Sequence, residues 1–386
     1  LWYVQNFWVK KLICINTLSK LQLLIREMVP AVVQHLKKLV RGVKLMSQKS
    51  KWFLLKQQVC YLSLQVMPST GKIGKIEREE NFLNFSNKMK FLKQKDGFLG
   101  YEANTKIKSK VVIIPFGLEK TVSYGRGTKN APKEIIKASH QVELFDEELK
   151  KETFRNIGIK TLRPFKIKNS MQSAMKQLAT INEHLLTKKL FPLVLGGEHS
   201  ITSGSIRPFV KKFKSLYILH FDAHADLREQ YNGEKFSHAT AIKRCLDFKN
   251  VKVVSFGIRN LSQEEMKFYN KNKKKIKIFW SSEKKKWKRS EIIKIFKNKN
   301  VYITFDVDGL DSSLMPATGT PEPGGLFWDD VLPIIKNVCS VSNVVGADIN
   351  ELAPIKGFNS CNFLVAKLAY KLLSYVFEFK PKNLNR

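Results

Sequence analysis

A three-layer α/β/α sandwich around a central parallel β-sheet is the α/β fold this sequence predicts. From residue 110 onward, short β-branched or apolar runs alternate with helix-like stretches. The runs are continuously apolar rather than alternating. Each strand is therefore buried on both faces, as in a parallel sheet covered by helices. Right-handed crossovers between parallel strands then place helices on both sides of the sheet.

In chain order, strands are predicted at VVIIPFG (111–117), PLVLGG (192–197), SLYILHFD (215–222), VKVVSFG (251–257), VYITFDVD (301–308) and NVVGADIN (343–350). Helices are predicted at APKEIIKASHQVELFDEEL (131–149), NSMQSAMKQLATINEHLL (169–186), ITSGSIRPFVKKF (201–213) and WDDVLPIIKNVC (328–339). Their apolar residues recur at helical spacing.

Residues 1–88 read differently. They carry no aspartate and four glutamates (Glu27, Glu77, Glu79, Glu80) against fifteen Lys and Arg, and the first aspartate is Asp96. Met89 opens the better-patterned text. The expectation is a basic N-terminal extension over 1–88, upstream of the natural protein, and one folded domain over 89–386. A targeting segment or a basic helical module are the competing readings, since LQLLIREMVPAVVQHLKKLVRGVKLM can form an amphipathic helix broken near Pro30.

Composition narrows the function classes. With 386 residues, 43% of them hydrophobic, the chain can bury a sizeable core. No uninterrupted apolar run reaches the ~18 residues needed to span a bilayer, so no membrane association is expected. Five scattered cysteines without a C-x-x-C pair fit a reducing cytoplasm. The net charge of +35 raises nucleic acid as a partner. The lysines are nevertheless spread almost everywhere, and the densest run, KNKKKIKIFWSSEKKKWKR (271–289), reads as a solvated face. A basic nucleic-acid-binding protein stays as the reading from a different class, and it leaves the clustered acids unexplained.

Those acids carry the chemistry. Four predicted strands end in loaded text: GGEHS (196–200), DAHAD (222–226), DVDGLD (306–311) and DINE (348–351). Ligands bind outside the carboxyl ends of strands in such sheets. In extended chain, Asp222, His224 and Asp226 share one face, as do Asp306 and Asp308. Carboxylates gathered so closely repel one another unless cations join them. A pair of divalent ions resolves this, because carboxylates bridge metals and imidazoles add nitrogen ligands. Oxygen and nitrogen ligation without cysteine favours Mn²⁺, with Zn²⁺, Ni²⁺ or Fe²⁺ open.

GGEHS, FDAHADLR, SHAT, FDVDGLDSSLMPATGTPEPGGL and ADINELAP, in this order, resemble the signature segments of the ureohydrolases, the arginase and agmatinase family of binuclear manganese enzymes. The resemblance spans roughly residues 98 to 378, and TVSYGRGTKNAPKEIIKAS adds to it. It implies an arginase-like fold and two Mn²⁺ ions per subunit. His199 and Asp226 would hold one ion, His224 and Asp308 the other, and Asp222 and Asp306 would bridge both. Glu198, where many members have aspartate, would orient its surroundings, and Asp311 would support the ligands from behind. Ser312 replaces a common proline and affects only the local turn. His220 reads as a packed core histidine and His140 carries no evident chemistry.

The resemblance further implies hydrolysis of a guanidino group to release urea. Two ions lower the pKa of water from 15.7 toward about 7, which a guanidinium carbon requires because its delocalised charge makes it a poor electrophile. His238, in FSHAT, matches the family's proton-shuttling histidine, and Glu351, in DINELAP, its guanidinium-binding glutamate. EQYNGEKFSHATAIKR lacks the Ser-Gly-Asn and His-Gly pattern by which arginases grip an α-amino acid. That favours agmatine, cleaved to putrescine and urea, with guanidinobutyrase or arginase activity as alternatives. Family members assemble as trimers or hexamers, so a homo-oligomer is expected.

Overall fold

The structure, a computed structural model, describes residues 89–379 apart from Asn104. The expected extension over 1–88 lies outside the described residues.

Eight strands form one sheet: β1 (Val111–Phe116), β2 (Ile159–Thr161), β3 (Phe191–Gly196), β4 (Leu216–Phe221), β5 (Val251–Ile258), β6 (Ile276–Trp280), β7 (Asn300–Asp306) and β8 (Asn343–Asn350). Their order is β2-β1-β3-β8-β7-β4-β5-β6, and every pairing is parallel. The longer helices are α1 (Ala131–Ser139), α2 (Met171–Thr187), α3 (Arg207–Lys212), α4 (Ala241–Leu246), α5 (Gln263–Lys271), α6 (Arg289–Phe296), α7 (Trp328–Val341) and α8 (Ser360–Glu378).

Side-chain alternation along the strands separates the two outer layers. From β1, Val111 and Ile113 pack into one apolar core with Ile135 of α1, Ile292 of α6, Ile335 of α7 and Leu372 of α8. Val112, Ile114 and Phe116 face the other way, onto Met175 and Leu178 of α2. Leu216 and Ile218 of β4 continue that second face against Phe209 of α3 and Ile242 of α4. Both faces of the sheet are thus covered, as the unbroken apolar runs require.

Four differences from the sequence expectations have local causes. The helix expected over 131–149 stops at Ser139. Beyond it, Asp146 accepts the backbone N–H groups of Glu148 and Leu149 at 3.0 Å, a turn that competes with helix. The segment 201–213 is broken into Thr202–Ser205 and α3 rather than one helix. β2, three residues long, is too short to show a pattern. β6 was hidden in the lysine run: Lys277 faces solvent while Ile276, Ile278 and Phe279 are buried.

Lys371, on α8 and 3% exposed, locks the turn to the helix layer. Its Nζ lies 2.8 and 3.0 Å from the two Asp146 oxygens and 3.1 Å from Glu148 Oε2. Removing one partner of a buried pair strands the other charge. Lys371→Met is therefore expected to lower unfolding free energy by about 3 kcal/mol, measured by urea denaturation. Lys371→Met combined with Asp146→Leu should recover part of that loss.

Candidate metal centre

The four loaded segments leave four neighbouring strands, β3, β8, β7 and β4, at the middle of the sheet. The chain leaves β4 toward β5 and leaves β7 toward β8, in opposite directions. Such a reversal opens a crevice at the carboxyl ends of the strands.

Asp306 ends β7, whereas Asp226 and Asp308 reach this crevice by turns rather than by strand alternation. β4 ends at Phe221, and Asp226 adopts φ 52°. A non-glycine residue in this left-handed region costs about 1–3 kcal/mol. Val307–Gly309 forms a single 3-10 turn in which Asp306 Oδ1 accepts the Asp308 N–H at 2.9 Å. Glycine is required at 309, because a Cβ there would lie 2.7 Å from the Asp222 nitrogen.

Two groups of side chains result. His199 Nδ1 lies 3.1 Å from Asp222 Oδ2, 3.0 Å from Asp226 Oδ2 and 3.3 Å from Asp306 Oδ2. His224 Nδ1 lies 2.9 Å from Asp308 Oδ2 and 3.6 Å from Asp222 Oδ1. Asp222 is common to both groups. All six residues of the expected ligand set are thus brought together.

Electrostatics here is governed by crowded carboxylates in a dry place. Burial raises Asp306 well above the carboxylate range, reinforced by the charges of Asp308 and Asp222. Burial and Asp222 likewise push Asp226 up to about 7. Burial works the same way on Asp222, but His199, His220 and His224 overcome it and hold that carboxyl well down. Burial would also depress His224, yet Asp308 and Asp222 push it up to about 12. A site of this kind favours positive charge wherever a group can carry it.

The residues fit a pair of divalent cations. His199 Nδ1 is buried and makes no hydrogen bond of good geometry, although three carboxylate oxygens surround it. The donor set is imidazole nitrogen and carboxylate oxygen, suited to borderline and hard divalent ions. His220 also touches Asp222, but both its ring nitrogens are engaged, Nε2 with Asp222 Oδ2 at 2.8 Å and Nδ1 with Ser255 Oγ at 2.9 Å. It braces Asp222 from below.

A polar row runs one step beneath the site; Asp348 and His220 stood out in the sequence, whereas Thr304 and Ser255 did not. Asp348, Thr304, His220 and Ser255 are register partners across β8, β7, β4 and β5. Asp348 Oδ1 accepts the Thr304 hydroxyl at 2.6 Å, and Thr304 Oγ1 meets His199 Nε2 at 2.9 Å. Such a partner fixes the orientation of the imidazole. The available signal was a polar residue two positions before Asp222 and Asp306, in strands otherwise largely apolar.

Glu351 and His238 border the same crevice. Glu351 has φ 65° and its Oε1 accepts the His199 N–H at 2.6 Å. Burial, with Glu198 beside it, holds its carboxyl well up. His238 Nδ1 lies 3.2 Å from Thr121 Oγ1, and its ring packs edge-on to Tyr231 at 5.3 Å. Burial, then the charges of His224 and His199, push His238 down to about 4, so its ring is neutral at pH 7. Glu198 reaches neither group of ligands. It accepts hydrogen bonds from Lys120 N, Thr121 N, Thr121 Oγ1 and Ser200 Oγ, and so fixes the segment that holds His238. Asp311 accepts from Ser313 N at 3.0 Å and Gly325 N at 2.8 Å, bracing the loop between them. His140 Nε2 meets the Gly97 carbonyl at 2.8 Å, far from this chemistry.

Arg259, just beyond β5, was another omission. Nη2 donates to the carbonyls of Asp308 (2.7 Å), Leu310 (3.1 Å) and Glu322 (2.9 Å), and Nη1 to those of Gly257 (3.0 Å) and Gly309 (3.4 Å). One guanidinium thereby ties the 308–310 turn to the loop that carries Glu322. Above the centre opens a cavity of about 360 Å³, bordered by His199, His224, Asp226, Asp306, Asp308, His238 and Glu351.

Comparison with known proteins identifies the family. The sequence model of the arginase family matches residues 109–374. An N(1)-aminopropylagmatine ureohydrolase of Synechocystis sp. is 34% identical over 306 residues, 76% of this chain and 98% of that one. An agmatinase of Bacillus cereus is 35% identical over 253 residues, 64% of this chain and 84% of its own length. The solved agmatine ureohydrolase of Thermoplasma volcanium has a TM-score of 0.64 at 30% identity, covering 77% of this chain and 98% of its own. With the family's model matched from the first strand into the last helix, and a relative aligned along nearly its whole length, the chain belongs to the arginase family and is a ureohydrolase.

Proposed function

We propose that this enzyme binds two Mn²⁺ ions and hydrolyses agmatine to putrescine and urea, using residues within 89–386. The observation that carries the reading is the shared Asp222, held between His199 and His224. His199 and Asp226 would hold one ion, His224 and Asp308 the other, with Asp222 and Asp306 common to both. Bound there, the ions supply Lewis acidity and a water of lowered pKa.

The chain's own residues do the rest. Glu351 offers its carboxylate to the planar guanidinium, which can present two parallel N–H donors. Neutral His238 takes a proton from the attacking water and returns one to the departing amine nitrogen, leaving urea and a free amine. Thr121, fixed by Glu198, sets the orientation of the His238 ring.

A second substrate, N(1)-aminopropylagmatine, is favoured by the match to 98% of the Synechocystis relative. Guanidinobutyrate and arginine are the remaining alternatives. We further propose a cytoplasmic homo-oligomer, trimer or hexamer, on the family resemblance and the scattered cysteines. Among the described residues, no helix is long and apolar enough to cross a membrane.

Purified enzyme loaded with Mn²⁺ should release urea from agmatine in a colorimetric assay. No urea from agmatine, aminopropylagmatine, guanidinobutyrate or arginine would overturn the reading. Asp306→Asn is expected to lose bound manganese, read by elemental mass spectrometry, together with nearly all activity. His238→Ala should keep both ions and lower kcat by about 10² to 10³; loss of metal in that variant would instead make His238 a ligand.

A further inference from the structure

We propose that Glu322 is the specificity-determining residue of the cavity, receiving the ammonium group at the far end of a guanidino substrate. The inference rests on the ureohydrolase reading and names the substrate class it acts on: guanidines with a cationic tail.

A guanidinium seated against Glu351 sends its alkyl tail outward, so the groups at the cavity mouth select among tails. Two carboxylates stand there, Glu265 and Glu322. Glu265 is spent on structure. It is 4% exposed, Oε1 accepts the Leu227 N–H at 2.9 Å, and Oε2 accepts the Ser262 N–H at 2.7 Å to start α5. Arg228 Nε lies 3.6 Å from that same carboxylate, and its guanidinium covers the Tyr231 ring. The cation of the mouth is therefore already paired, and a carboxylate-ended tail would have to compete with Glu265 for it.

Glu322 differs in each respect. Its side chain is 32% exposed, and Oε1 takes the Asn260 amide at 2.5 Å and lies 4.0 Å from His224 Nε2. Oε2 accepts no hydrogen bond from any described residue. The backbone beneath it is pinned by Arg259, so the free oxygen is presented from a fixed loop. A carboxylate held but unsaturated at the mouth is the complement of an ammonium ion, and it repels a tail carboxylate.

The test compares agmatine with pentylguanidine, which keeps the chain length and replaces the terminal ammonium by a methyl group. For the Mn²⁺-loaded wild type, kcat/KM should favour agmatine. In Glu322→Gln that preference should fall about fivefold, the scale of a partly exposed ion pair, with the change in KM and with manganese content unaltered. In the wild type the preference should also shrink as NaCl rises from 50 to 300 mM, and the variant should lose that salt dependence. A preference unchanged in Glu322→Gln, or an equal fall for both substrates, overturns the assignment while leaving the ureohydrolase reading intact. Wild-type enzyme that releases urea from no guanidine overturns both.

Discussion

Mutual repulsion among buried carboxylates is the constraint on which this structure turns. Two like charges 4 Å apart at an effective dielectric of about 20 interact by roughly 4 kcal/mol, and four aspartates converge here around two imidazoles. The chain answers by spreading the proton affinities: Asp222 goes down, while Asp226, Asp306 and the His224 imidazole go up. Placement at the centre of an eight-stranded sheet makes the cluster rigid enough to hold. The left-handed turns at Asp226 and Glu351 are strain that the packed strands on either side keep in place.

Most of the architecture was legible because burial on both faces leaves unmistakable apolar runs. The six expected strands are present to within a residue or two at each end. β2 and β6 escaped for opposite reasons, one through brevity and the other because Lys277 and the lysines flanking it mask an otherwise apolar strand. The acidic text was equally plain, but its geometry was not. Spacing of two suggested side chains sharing a strand face, whereas Asp226 and Asp308 arrive through turns that break that rule. Thr304 and Ser255, and the link from His220 to Asp222, were invisible for a related reason: their purpose depends on strand order, and neighbours in the sheet are far apart in sequence.

The basic surface and the acidic crevice coexist because charge acts over short range in salt water. At physiological ionic strength the Debye length is about 8 Å, so lysines scattered over a wide surface contribute little inside a crevice. Many are paired nearby, as Lys277 is with Glu291 and Lys243 with Glu229. A cationic ligand within the crevice responds to the carboxylates around it, while the lysines govern solubility and encounters at a distance.

The Arg259 clamp has a consequence for how such an enzyme can diverge. All five of its acceptors are main-chain carbonyls, so it is blind to the identity of the residues it holds. The side chain at 322, partly exposed, can be exchanged by mutation while the guanidinium keeps the same grip, and the turn at 308–310 stays where it is. Substrate preference and metal chemistry thereby become separately heritable traits, carried on adjoining loops of one scaffold.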